Sequence, residues 1–197
     1  MQTQARLLAA AFEVFAAKGF GRVSIEEVCD AAGYSRGAFY SNFDSLEGLF
    51  FALYQARAEL LTTQLTEALT SHVADFDLAS AVERLTEALL LERDWLLVKS
   101  DFLVYAARRE EVAQALLQHR QWLQEAIAQR LTAVAEHGGL PPVLGGADGA
   151  ARAVLAVYDG VTTQVLLDRD TEHARQWLKQ LLLALLSPRS GTGDQER

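Results

Sequence analysis

The stretch that most constrains this chain is residues 24–43, SIEEVCDAAGYSRGAFYSNF. It reads as two short helices joined by a tight turn, an arrangement that lets the second helix stand clear of the body and enter a DNA major groove. Ser24, followed three residues later by Glu27, forms a capping box in which hydroxyl and carboxylate each satisfy a backbone N–H left over by the first helical turn. Ile25, Val28 and Ala32 recur at helical spacing and face inward. Gly33 then supplies the backbone freedom that a sharp turn needs. Ser35 caps a second helix carrying Arg36, Gly37, Ala38, Phe39, Tyr40, Ser41 and Asn42, with Phe39 and Phe43 directed at the core. Small residues at its start let the backbone approach base edges, and Arg36, Tyr40, Ser41 and Asn42 offer donors to bases or phosphates.

Half of the 197 residues are hydrophobic and only three are proline, which points to an all-α protein with a well-buried core. Apolar runs such as residues 181–186 fall far short of the ~20 residues of a membrane span. The apolar positions of residues 7–15 are periodic and lead into Lys18 rather than a cleavage site, so a cytoplasmic protein with no membrane partner is expected. A lone cysteine, Cys29, excludes an internal disulfide and reads as a small packed residue. The histidines His72, His119, His137 and His173 fall on separate segments without metal-ligand spacing. No nucleophile elbow or dinucleotide fingerprint occurs either, so the chain is expected to be no enzyme and to need no metal or cofactor.

A formal charge of −8 runs against a role on DNA. Within residues 1–50, Arg6, Lys18, Arg22 and Arg36 face Glu13, Glu26, Glu27, Asp30, Asp44 and Glu47. Helix N-termini, hydroxyls and a tyrosine can also hold phosphates, and a dimer doubles every contact.

Taken in order, a helix is expected from Thr3 to Lys18 with Leu7, Ala11, Val14 and Phe15 inward and Gly19 as its stop. Phe20 and Val23 pack beneath it. Asp44 or Ser45 caps a long helix from Leu46 to about Thr70, with Leu49, Phe50, Leu53, Tyr54, Leu60, Leu61 and Leu65 buried. Residues 71–77 make a joint, and Asp77 caps a helix from Leu78 to about Arg93 whose inward residues are Val82, Leu85, Leu89 and Leu90. In residues 94–107, Trp95, Val98, Phe102 and Tyr105 share one stripe, which reads either as core or as the wall of an apolar ligand site with Tyr105 as its polar tip. A helix over residues 112–136 carries Leu116, Leu117, Trp122, Leu123, Ile127, Leu131 and Val134. The glycines and prolines of residues 137–149 make a loop. Two last helices, residues 150–167 and 171–186, are broadly apolar, and either pack within one subunit or form a four-helix bundle with a second copy. Residues 187–197 read as a disordered tail.

The segments AAAFEVFAAKGF, SIEEVCDAAGYSRGAFYSNF and DSLEGLF, which run from Leu7 into the helix that follows Asp44, resemble the N-terminal DNA-binding domain of the TetR family of bacterial repressors. The resemblance covers roughly the first quarter of the chain. It implies about nine helices: a three-helix helix-turn-helix domain over residues 1–46, with its motif at 24–43, and a helical ligand-binding and dimerisation domain over 47–187, before a tail at 188–197. DNA contacts are implied at Ser24, Ser35, Arg36, Gly37, Ala38, Tyr40 and Asn42, and the same motif adds Tyr34 and Ser41. Where such proteins commonly carry a phosphate-binding lysine, this chain has Leu46. The expected function is a homodimeric repressor of a palindromic operator, released by a small apolar or amphipathic ligand. The competing expectation is a binding module whose DNA reading has weakened. The ligand is expected among Phe50, Tyr54, Trp95, Val98, Phe102, Tyr105, Trp122 and Tyr158. The dimer interface is expected at Val154, Tyr158, Val161, Val165, Trp177, Leu181 and Leu185.

Overall fold

The computed structural model describes residues 2–70, 78–89, 91–138 and 140–187. Among these, nine α-helices and two 3-10 turns occur, with no strand. The first unit comprises α1 (Gln2–Lys18), α2 (Ile25–Ala32) and α3 (Arg36–Tyr40), with a 3-10 turn at Phe20–Arg22 between α1 and α2. Leu7, Ala10, Ala11 and Phe15 form the buried stripe of α1, which packs on α2. Gly19 ends α1 at φ +82°, and a Cβ there would come 2.7 Å from the Asp101 carboxylate. Phe20 is buried, as its spacing after the α1 stripe requires.

Helix α4 (Leu46–Thr70) begins with the Ser45 hydroxyl accepting from Gly48 N at 3.1 Å, which settles the cap in favour of Ser45 over Asp44. Its residues Leu49, Phe50, Leu53, Tyr54 and Leu61 are buried, whereas Leu60, expected inward with them, is 44% exposed. The body continues with α5 (Leu78–Ala88), α6 (Arg93–Ala106), α7 (Glu110–Gly138), α8 (Ala147–Asp168) and α9 (Thr171–Leu186). Helix α8 packs between α7 and α9, α5 lies against α4 and α9, and α7 packs along α4.

Several boundaries depart from expectation. Helix α5 ends at Ala88 rather than near Arg93, so Leu89 and Leu91 insert into the core from the connection itself. Helix α7 runs to Gly138 and α8 begins at Ala147, so the expected loop over residues 137–149 shrinks to a short link holding a 3-10 turn at Pro142–Leu144. Leu117 and Trp122, expected inward, lie on the exposed face of α7, since Leu116, Leu123, Ile127 and Leu131 already define the inner one. The joint at residues 71–77 with its Asp77 cap, Leu90 and residues 188–197 of the tail lie outside the described residues. Asp170 caps α9, accepting from His173 N at 2.9 Å. No described helix is long and apolar enough to cross a membrane.

Four of the seven residues expected at a dimer interface are buried within the single chain. Val154, Tyr158, Val161 and Val165 are at most 7% exposed, because their face of α8 is the one that α7 and α9 cover. That face cannot meet a second copy. Of the remaining three, Trp177 is exposed, and Leu181 and Leu185 are half-buried on α9.

Candidate nucleic-acid interface and body cavity

The capping box forms as its spacing demands: Ser24 N donates to Glu27 Oε2 at 2.8 Å, and Glu27 N donates to the Ser24 hydroxyl at 3.3 Å. Lys18 reaches the same carboxylate at 2.6 Å, tying the end of α1 to the start of α2. The Lys18 hydrogen bond and the Ser24 donors pull the Glu27 carboxyl down to about 2, so the box stays charged at neutral pH. Gly33 closes α2 at φ +71°, with its N–H on Asp30 and Cys29 carbonyls. Tyr34 N donates to the Cys29 carbonyl at 2.9 Å, and the Arg6 guanidinium lies 5.4 Å over its half-buried ring.

The Ser35 hydroxyl then accepts from Ala38 N at 3.2 Å and starts α3. At five residues α3 is shorter than expected, and Ser41 and Asn42 form the turn after it. A helix so short is not stable alone. It is held by Phe39, fully buried, and by Phe43 behind it, with ring centroids 5.9 Å apart. Ser35→Ala should therefore cost about 1 kcal/mol, read as a lower chemical-denaturation midpoint at unchanged slope.

Ser24, Ser35, Arg36, Gly37, Tyr40, Ser41 and Asn42 are all exposed on this unit, and Ala38 is half-buried among them. Their side chains are not all free. Arg36 pairs with Glu26 at 2.7 Å and lies 6.0 Å over the Tyr40 ring. The Ser41 hydroxyl donates to the Gly37 carbonyl and the Asn42 amide to the Ala38 carbonyl, each at 2.8 Å. Leu46 packs against the core.

The unit is joined to the body through aromatic rings. Phe20 meets Phe102 and Tyr105 edge-on with centroids 4.8 Å from each, and Phe50 stacks on Phe102 at 3.5 Å. The Tyr105 hydroxyl donates to Glu47, and Arg109 covers the other face of its ring at 3.7 Å. Tyr105 is thus a strut between α4 and α6 rather than the polar tip of a ligand site. Val98 and Phe102 are likewise sealed in the core, at 0% exposure.

A cavity of about 510 Å³ opens between α4, α6, α7 and α8, within the size range of small-molecule sites. Phe50 and Tyr54 line it, as their stripe requires, together with the apolar Leu103, Leu116, Leu117 and Leu166. Trp95 and Tyr158 instead line a smaller adjoining cavity, which also touches Tyr54. Trp122 is on the surface. Lys99, Arg120 and Asp159 border both cavities. Asp159 accepts from Lys99 Nζ at 2.8 Å and from Arg120 at 2.6 Å. Burial alone would raise the Asp159 carboxyl, but the two cations outweigh it and hold it below the usual carboxylate range. Burial lowers the Lys99 ammonium, against the pull of Asp159, and the cation lies 4.3 Å over the Tyr158 ring. The Tyr54 hydroxyl, pushed up to about 12 by burial, keeps its proton at any physiological pH.

Sequence reasoning missed this charged cluster, although a signal was there. Lys99 and Arg120 each interrupt an apolar helical row, Trp95, Lys99, Phe102 and Leu116, Arg120, Leu123, and Asp159 stands between Leu155 and Leu166 on its own.

Residues 7–53 match the profile of the bacterial regulatory proteins of the TetR family, the segment that holds the capping box, the turn and α3. The HTH-type transcriptional regulator YfiR of Bacillus subtilis is 29% identical over 190 residues, covering 92% of each chain. The DNA-binding domain of the chain is of the TetR type. The chain carries a DNA-binding helix-turn-helix, and the relatives it matches are transcriptional regulators rather than enzymes. Its fold is shared along almost the whole length by other TetR-type structures. A TetR-family regulator from Rhodococcus sp. superposes with a TM-score of 0.79 at 18% identity, over 95% of this chain and 100% of that one. The fatty acid degradation regulator FadR from Bacillus halodurans does so with a TM-score of 0.78 at 18% identity, over 96% and 98%.

Proposed function

We propose that this protein is a homodimeric TetR-family repressor that reads a palindromic operator with two copies of residues 35–42 and leaves it when a small ligand occupies the body cavity. The observation that carries the DNA half is the build of α3. Ser35 starts it, Phe39 fixes it from behind, and Arg36 and Tyr40 stand on its open face. Ser24, Tyr34, Gly37, Ala38, Ser41 and Asn42 complete the DNA-facing surface, with residues 1–46 as the reading domain and 47–187 as the body. Trp177, Leu181 and Leu185 on the outer side of α9 support pairing with a second copy, which sets the two reading helices about 34–36 Å apart or a multiple of it. The cavity beside Phe50 and Tyr54 supports the ligand half, and the resemblance of the fold to a regulator of fatty acid degradation fits an apolar or amphipathic guest.

The test is an electrophoretic mobility shift with DNA from upstream of the protein's own gene. Binding that survives competitor DNA, with footprinting that shows two half-sites one turn or a multiple of it apart, supports the reading. Its absence at micromolar protein favours the competing one, a helical binding module with weakened DNA affinity. Tyr40→Phe should weaken binding about fivefold for all sequences alike, by roughly 1 kcal/mol for one hydroxyl-to-phosphate bond. With so few cations on the reading unit, log K should also fall only gently against log salt. A slope as steep as that of a protein with many phosphate contacts contradicts this set of contacts.

A further inference from the structure

We propose that the body cavity is built for an amphiphile carrying a single carboxylate, its head group held by Lys99, Arg120 and Tyr54 and its apolar part lying along Phe50, Leu103, Leu116 and Leu166. The proposal rests on the reading of this cavity as the effector site and names the chemistry of the effector. The charged groups among the lining residues are two cations and one carboxylate, leaving one positive charge. Donors outnumber free acceptors there. Both Asp159 oxygens are already engaged, one by each cation, and the Thr162 hydroxyl gives its proton to the Tyr158 carbonyl at 3.0 Å. Lys99 and Arg120 carry further N–H groups beyond those bonds, and the Tyr54 hydroxyl remains protonated. The group that complements such a wall accepts hydrogen bonds and offers none, and bears one negative charge. A carboxylate does so, whereas an alcohol brings its own donor and an ammonium is repelled.

The placement of the groups gives the direction of entry. Lys99 and Tyr54 are deeply buried, whereas Leu103 and Leu117 are more than half exposed. The head therefore sits inside and the apolar body extends toward the leucine-lined mouth. Because ionic contacts in a largely apolar cavity are poorly screened, charge rather than shape dominates selection among ligands of equal length.

Isothermal titration of the full-length protein with decanoate, decan-1-ol and decyltrimethylammonium tests this directly and needs no DNA. Decanoate should bind at least about tenfold tighter than decan-1-ol, and the ammonium should not bind. 2-Naphthoate, run alongside, distinguishes a flat aromatic carboxylate from a straight-chain one. Lys99→Met should abolish the preference for decanoate over the alcohol, with Arg120→Gln as a second variant should the first fail to fold. Asp159→Asn removes the carboxylate that competes for the same cations and should tighten decanoate binding. A purely structural ion pair predicts no such gain. Equal binding of alcohol and carboxylate, or no binding by either carboxylate, overturns the proposal. Protein that binds decanoate but keeps its operator in a mobility shift overturns the regulatory reading and leaves this one standing.

Discussion

Replacing Phe50 by alanine is expected to lower stability by roughly 3–5 kcal/mol, the range for removing a fully buried aromatic ring. Phe50 has no exposed surface and touches rings from three parts of the chain: Phe20 after α1, Phe51 and Tyr54 on α4, and Trp95 and Phe102 on α6. Collapse of the surroundings is opposed because those neighbours are anchored on different helices, so much of the ring's volume remains as a void. For a chain of this size the melting midpoint should fall by about 10 °C. Phe50→Leu keeps most of the volume and should cost under about 2 kcal/mol. A loss below about 1 kcal/mol for the alanine variant would mean that the rings do not form a common core.

The second large effect concerns operator affinity and takes opposite signs at two neighbouring positions. Arg36→Ala is expected to weaken binding by about 1–3 kcal/mol, fivefold or more, with loss of discrimination at one base pair if the guanidinium reads a base rather than a phosphate. Glu26→Gln should strengthen it severalfold. Arg36 is held 2.7 Å from Glu26, and that pair must loosen, or share its cation, before the guanidinium can serve DNA. Both side chains are more than half exposed, so the pair itself is weak, and the gain should shrink as salt is raised. Titration of a labelled operator at two ionic strengths measures both variants. If Glu26→Gln binds no better than the parent at low salt, the ion pair does not restrain the reading helix.

The reading unit is legible in the sequence because its signals are local. A capping box, a glycine turn and a second serine cap lie within a dozen residues, and each needs only its neighbours to be interpreted. The pair Glu26–Arg36 is not, since two oppositely charged residues ten apart meet only once the turn at Gly33 has brought α3 back against α2. The aromatic row of α6 is legible as a stripe, but its two possible uses cannot be told apart from spacing. Phe102 and Tyr105 face Phe20, Phe50 and Glu47, partners that a single helix does not reveal. Leu60 and Leu117 mislead for a related reason: leucine favours a helix on either face, so identity alone does not give direction. Lys99, Arg120 and Asp159 come from α6, α7 and α8. Their meeting is a property of how those helices pack, and only the interruption of two apolar rows hints at it.

Helix α4 runs unbroken through 25 residues, from beneath the reading unit to the far side of the body, with no proline and with Gly48 as its one glycine. A shaft of that kind, ~37 Å long at 1.5 Å per residue, has no place at which to fold in the middle. Pressure on one end is therefore not absorbed along the way but emerges as swing at the other, where each degree of tilt amounts to about 0.6 Å of travel. In the dimeric repressor proposed above, the spacing of the two DNA-facing tips would follow the bulk of a guest lodged beside Tyr54, much as the gap of a caliper follows its handle.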